Sequence, residues 1–163
     1  MKGRFTAEME GDFVVFLIGM RINKWWKVGQ WMFSVRAMTR MIKELYANPD
    51  LGLKHVESYM GRTSLMVQYW ESFEKLEAYA RSKDHEHLPA WLEFKKRIGD
   101  NGDLGIWHET YRIQKGNYEC IYANMPPFGL GKAGEIKAVG KHNENAANRM
   151  KGLKKDTTPE SEE

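Results

Sequence analysis

The sequence predicts an α+β fold whose strands and helices follow the order βαββαβ. Three observations carry this. An apolar, β-branched run at residues 12–22 (DFVVFLIGMRI) leads into a helix-period pattern at 25–47. Two alternating segments at 53–60 and 63–70 are separated only by Gly61-Arg62. A second helical stretch then precedes a last alternating segment at 105–113 (GIWHETYRI).

The first run is apolar at nearly every position, as expected of a strand covered on both faces. In the segment after it, Val28, Trp31, Val35, Met38, Ile42 and Leu45 recur at spacings of three and four, which is one face of an amphipathic helix. Asn48-Pro49-Asp50 ends that helix, because proline restricts the residue before it and cannot continue the hydrogen bonding. Leu53–Met60 and Thr63–Trp70 alternate, and Gly61 suits a two-residue turn, so they read as a hairpin. Ser72 is the expected N-cap of the next helix, with Glu74 in its first turn and Phe73, Leu76 and Ala80 inward. Pro89 breaks that helix and restarts it, since proline is tolerated in a first turn. Trp91, Phe94 and Ile98 then face inward. After the Gly99–Asp103 loop and the 105–113 strand, a turn at 114–117 leads to a last short strand at 118–123. Two βαβ halves joined by a hairpin make the ferredoxin-like split βαβ arrangement, an antiparallel sheet with both helices on one face. The other face is left open and carries large apolar side chains, so a second copy packed face to face is expected to cover it.

This domain spans residues 1–124. Residues 125–140 form a Pro/Gly-rich arm anchored by Phe128 and Leu130. Residues 141–163 form a polar tail, expected to be disordered because it cannot bury enough surface to offset its ordering entropy. The net charge is only +3 and shows no concentrated basic stripe, which argues against nucleic acid. The longest apolar run is too short for a bilayer, and the start lacks the order of a signal peptide; a cytoplasmic protein with no membrane role is expected. One cysteine, Cys120, excludes an internal disulfide and reads as a small strand hydrophobe. Six Trp and ten Met suit either a packed core with a subunit interface or a cavity for a flat, apolar ligand.

Gly129-Leu-Gly-Lys-Ala-Gly134 matches the letters of a dinucleotide fingerprint. It lacks the strand and helix context that fingerprint needs and reads instead as a flexible arm folding over a cavity or a partner. In His85-Glu86-His87 the two imidazoles diverge by about 200° if helical. A metal site needs three or four ligands, so no metal is expected. One of the pair is expected to cap the helix break. His87, one turn ahead of Trp91, is either such a structural residue or a group facing a cavity, where it would bond a ligand, shuttle a proton or ligate a haem iron. On the last strand His108 and Thr110 share one face, while Trp107, Glu109 and Tyr111 share the other. Glu109 on a covered face needs a partner; Arg21 on a neighbouring strand is the candidate, as a substrate-positioning or a structural pair.

The segments GRFTAEMEGDFVVFLIGMRINKWW, VQYWESFEKLEAYARSKDHEHLPAW, GDNGDLGIWHETY and YANMPPFGLG together resemble the monooxygenase af470-like family. That family is similar in turn to the antibiotic-biosynthesis-type monooxygenases of the dimeric α+β barrel superfamily. The resemblance covers residues 3–134. It implies a homodimer with a cavity between sheet and helices in each protomer. The implied activity is a monooxygenase, an oxidoreductase that works without metal or flavin on a small apolar or aromatic metabolite. Haem enters as the alternative, because relatives in the superfamily bind it; a non-catalytic ligand-binding dimer is a further alternative. By position, the resemblance makes His87, Asn23 and Tyr79 candidate catalytic residues. Trp91, Trp107, His108, Arg21 and Glu109 are the candidate substrate-binding residues. The shorter spacing from Tyr79 to His87 departs from the haem-degrading members.

Overall fold

The computed structural model describes residues 1–155, with side chains through residue 151. The chain is α+β with two antiparallel sheets. The larger has four strands. β2 (Phe13–Ile22) lies between β4 (Leu65–Trp70) and β5 (Leu104–Ile113), and β3 (Leu53–Tyr59) edges β4. β1 (Arg4–Glu8) precedes β2 in the chain and belongs to the second sheet. β2 and β5 pair from Phe13↔Ile113 to Ile22↔Leu104 without a break. The β-branched and aromatic density of 13–18 accounts for the central place of β2, where side chains pack on both faces.

Helix α1 (Val28–Ala47) crosses one face of this sheet, with α2 (Phe73–Arg81) and α3 (His87–Arg97) beside it. It starts at Val28 rather than residue 25, because Lys24 and Lys27 reach back to Asp103 and the Trp25 carbonyl accepts from Trp31 Nε1. At its other end the Asn48 amide and side chain both donate to the Glu44 carbonyl. Ser72 caps α2 by accepting from the Lys75 amide, and Pro89 sits in the first turn of α3 as expected. The hairpin turn is longer than predicted: β3 ends at Tyr59 and β4 starts at Leu65. The intervening residues are recruited by β2, with the Ile22 amide donating to Arg62 O and the Ser64 amide to Met20 O.

On the helix-bearing face the core falls into separate groups. Val14, Leu45, Leu53, Trp70, Leu76 and Tyr79 pack at one end, and Met20, Ile22, Phe94, Ile98 and Leu104 at the other. Ala37, Met41 and Ala90 join α1 to α3.

The opposite face differs from expectation. β1 pairs with β6 (Tyr122–Ala123) and with β7 (Glu135–Ala138), building a three-stranded second sheet. Ala7, Met9, Tyr122 and Leu130 pack with Phe13 over one end of the larger sheet, alongside Val15, Tyr69 and Ile113. Half of the expected open face is therefore closed by the chain itself. Only Tyr122–Ala123 of the predicted 118–123 strand is a ladder. The arm is ordered by α4 (Leu130–Ala133) and β7, and the chain continues into α5 (Ala146–Lys155). The tail is thus helical where disorder was expected, and Arg149, 8% exposed, ties it down through Glu119 and the carbonyls of Asn143 and Glu144. The rest of the predicted disorder, 156–163, lies outside the described residues. Among the described residues no helix is long and apolar enough to cross a membrane.

Candidate functional site

Strand alternation puts Val14, Phe16, Ile18, Met20 and Ile22 of β2 on the helix-bearing face, next to Trp70, Gln68 and Met66 of β4. Thr110 and His108 of β5 are opposite Phe16 and Ile18. The ends of this face are buried, but its middle is not. Phe16, Ile18 and Met66 are half-buried although they lie on central strands; His108, Thr110 and Ile106 are exposed. Ile18 and Met66 join none of the buried groups. The helices leave an apolar strip across the centre of the sheet partly uncovered, with His108 at its open edge, 5.6 Å from the Phe16 ring.

At the closed edge of the strip is Gln68, 4% exposed, whose Oε1 accepts from Trp70 Nε1 at 2.9 Å. Trp70 packs against Tyr79 with ring centroids 5.9 Å apart. Tyr79 then leads to a polar cluster between α1 and the α2–α3 connection. Its hydroxyl donates to Glu44 Oε2 at 2.8 Å. The same oxygen accepts from the Glu86 amide, and Glu44 Oε1 meets His85 Nδ1 at 3.0 Å. Burial pushes the Glu44 carboxyl up, but the Glu86 amide, the Tyr79 hydroxyl and His85 outweigh it and hold it below its ordinary value. Tyr79 moves the other way: burial and the carboxylate beside it keep its hydroxyl protonated far above the usual range. His87 lies 6.2 Å from the Tyr79 ring and bonds the Ala80 carbonyl through Nδ1 at 2.9 Å. A carbonyl only accepts, so Nδ1 carries the proton and Nε2 of the neutral ring keeps its lone pair. The histidine pair thus divides: His87 caps the end of α2, as expected of one of the two, and His85 is tied to Glu44.

The other predicted residues do not converge. Asn23 donates to the Gly102 carbonyl at the start of α1, whereas Glu44 is in its last turns, a separation of roughly 25 Å along the helix. Trp91 is 39% exposed and stacks on Phe94, so it faces outward, not inward as predicted. Trp107 and Glu109 lie on the face opposite His108. Arg21 bonds Thr63 Oγ1, and Glu109 accepts from the Tyr111 hydroxyl. The expected Arg21–Glu109 pair is absent, because the register places Arg21 opposite Gly105, four residues from Glu109 along β5. Trp107 covers Gly19, where a Cβ would lie 2.8 Å from its Nε1 and 2.0 Å from the Ser64 carbonyl oxygen.

The 129–134 glycines serve close packing. Gly129 has φ 53° and its amide donates to Glu57 Oε1; a Cβ there would meet the Tyr69 hydroxyl at 2.9 Å. Glu57 also bonds His55 and Lys132. Burial pushes its carboxyl up, yet these donors outweigh that and bring it down to about 2. Glu44, Gln68 and Trp70 carry the strip and cluster geometry but are not among the residues the sequence singles out, while His85 is read there only as one of the His85–His87 pair. Of the three, Gln68 has a visible signal, an amide in line with Trp70 and Met66 on an alternating strand.

The family model for Monooxygenase af470-like proteins matches residues 13–130. The chain belongs to this family. Its matched span runs from the first residue of β2 to the start of α4, so the strip and the polar cluster lie wholly inside it. Monooxygenase af470 of Aspergillus fumigatus is 26% identical over 160 residues, a match spanning 84% of this chain and 56% of that protein's length. Two solved structures are similar in part. One, a conserved protein of unknown function from Bacteroides thetaiotaomicron described as a possible oxidoreductase, has a TM-score of 0.44 and 10% identity over 64% of this chain and 100% of its own. The other, a conserved protein from Methanosarcina mazei, has a TM-score of 0.45 and 14% identity over 63% of this chain and 94% of its own. Neither likeness carries an argument about this chain's chemistry.

Proposed function

We propose that this chain is a monooxygenase that takes a small apolar or aromatic molecule into the space between its helices and the four-stranded sheet. The observation that carries the reading is the strip of Phe16, Ile18 and Met66. Apolar side chains at the centre of a helix-covered sheet normally complete a core, and leaving part of their surface uncovered costs about 25 cal/mol per Å2 of apolar surface so exposed. A flat apolar ligand recovers that energy. Membership of the family supplies the reaction class.

In this reading His87 Nε2 accepts a proton from an activated C–H of the substrate, because its Nδ1 is committed to Ala80. The resulting carbanion reduces oxygen directly; a CH2 group becomes a carbonyl and the second oxygen atom leaves as water. No external reductant is required, so the protein contributes positioning and electrostatics. His108 borders the open edge of the strip. The uncovered part of the opposite face, with Leu17, Leu65, Val67, Trp107 and Tyr111, is the surface we assign to a second copy. Face-to-face packing there would complete a ferredoxin-like dimeric α+β barrel.

The test is oxygen uptake by the purified protein with a panel of electron-rich aromatic compounds bearing an acidic C–H. Turnover should fall at least about 100-fold in His87→Ala with folding retained. Equal turnover in the two proteins overturns the role of His87, and uptake with no member of the panel overturns the activity. A Soret shift on haem titration that His87→Ala abolishes would replace this reading with haem binding.

A further inference from the structure

We infer that the end of the molecule carrying Trp25 and Trp26 is a docking surface for an anionic lipid bilayer, with the two indoles seated at headgroup level and Lys and Arg side chains of the same end meeting the lipid charge. It stands apart from the monooxygenase reading. It also departs from the expectation of no membrane role, which rests on spanning and leader segments alone.

Lys24-Trp25-Trp26-Lys27 connects β2 to α1. Trp26 is 74% exposed, and Trp25 and Val28 are about half exposed. A tryptophan this far out of the fold leaves a large apolar ring in water. Several such side chains together mark a contact surface. The loop that presents them is fixed. The Asn23 and Lys24 amides donate to the Asp103 carbonyl, and the Lys24 and Lys27 ammonium groups both reach the buried Asp103 carboxylate. The Trp25 carbonyl accepts from Trp31 Nε1. Met60, 71% exposed, belongs to the same end of the sheet, because the hairpin turn that holds it bonds the end of β2 through Arg62 and Thr63.

The charge at this end identifies what covers the pair. Three segments distant in sequence meet here: 21–28 at the end of β2, 60–62 in the hairpin turn, and 95–103 after the body of α3, where Ile98 packs with Ile22 and Leu104. They carry seven basic side chains against the carboxylates of Asp100 and Asp103, and Glu93 adds a third by pairing with Arg97. That excess of four is larger than the +3 of the whole chain, so the positive charge is gathered at this end. No basic stripe is visible in the sequence because the fold assembles it from separate segments. Lys27 and Arg97 also border a cleft of about 450 Å3, with Gly29 and Gln30 on its wall, where a lipid phosphate would meet both cations. Tryptophan favours the headgroup level of a bilayer, and each basic side chain near an anionic leaflet adds attraction. Lysine is depleted at protein–protein interfaces, so a lysine-flanked indole pair suits a lipid surface better than a protein.

The test is co-sedimentation of the full chain with vesicles of phosphatidylcholine alone and of an equal mixture of phosphatidylcholine and phosphatidylglycerol. The mixed vesicles should bind at least about tenfold more tightly, and added salt should weaken that binding. Trp25→Ala with Trp26→Ala should lower the affinity for them by about tenfold or more. The thermal midpoint should stay in place, because both side chains are exposed and the Trp25 carbonyl keeps its bond to Trp31. Arg62→Gln with Lys96→Gln, two exposed positions, should also lower the affinity by about tenfold or more. Lipid brominated near the headgroup should quench part of the wild-type tryptophan emission, and the double Trp variant should lose that part. No binding to the mixed vesicles, equal binding to both kinds, unquenched emission, or unaltered binding in either variant overturns the inference. So does a dimer that the double Trp variant dissolves, or a single-stranded oligonucleotide bound by the wild type in place of the vesicles.

Discussion

Two carboxylates show how burial and donors compete at single residues. Glu44 and Glu57 are both largely withdrawn from solvent, yet both are held ionised, because each has three donors around it. For Glu57 the folded value of about 2 lies below the ordinary 4.5, so its ionised form stabilises the fold fully above pH 4.5. That contribution fades as the pH falls from 4.5 toward 2. Glu57→Gln should therefore lower stability at pH 7 by about 1 kcal/mol, discounted because Lys132 is near the surface and screened. The deficit should shrink toward zero by pH 2, as urea unfolding at several pH values would reveal. Tyr79→Phe removes a hydrogen bond to a charged partner in a buried setting and should cost about 1.5–3 kcal/mol. A denaturation midpoint within error of wild type would show that Glu44 is satisfied without it.

Among the elements, the segment beyond β5 is where local signals and outcome part. The arm carries few strong helix or strand formers, and its glycines suggest looseness. In the fold Gly129, Gly131 and Gly134 of the arm permit close approaches, and at residue 134 a Cβ would sit 2.3 Å from the Glu8 carbonyl oxygen. Gly134→Ala should push β7 off β1. Hydrogen exchange would report it as lost protection of the β1 and β7 amides, with the β2–β5 ladder still protected. Protection retained in β1 would mean that the ladder absorbs the methyl group. β1 itself was missed, although Phe5 and Ala7 alternate with Arg4, Thr6 and Glu8. A five-residue strand has no weight of its own until β6 and β7, more than a hundred residues away, supply partners.

For the molecule as a whole, the two faces of the four-stranded sheet have different fates. One is bridged by helices that leave its middle partly uncovered, and the other is partly closed by the second sheet. Ending the chain after residue 124 would remove β7, Leu130 and Ile136 and expose Tyr69, Val15 and Phe13. That truncated chain should bind more of an apolar dye and self-associate beyond the full-length state, read by light scattering after size exclusion. A truncated chain that matches the full one in both measurements would show that the second sheet is not needed as a cover.

The order of strand, helix, hairpin, helix and strand was set locally, because each element has its own period, cap or breaker: the three-and-four spacing of α1, the Ser72 cap and the Pro89 restart. What only the tertiary structure decided is which of the polar groups meet. Arg21 and Glu109 lie on adjacent strands and miss each other through register, and Trp91, though in helical phase, turns to solvent. Glu44, Tyr79, His85 and His87 come together from three separate segments of chain. The Gln68 amide oxygen takes its direction from an indole two residues on, a contact within one strand face that helices then bury. Hydrogen bonds and burial depend on distances that sequence spacing does not contain, so the order of elements from β2 to β5 was legible residue by residue, while the second sheet and the site were not.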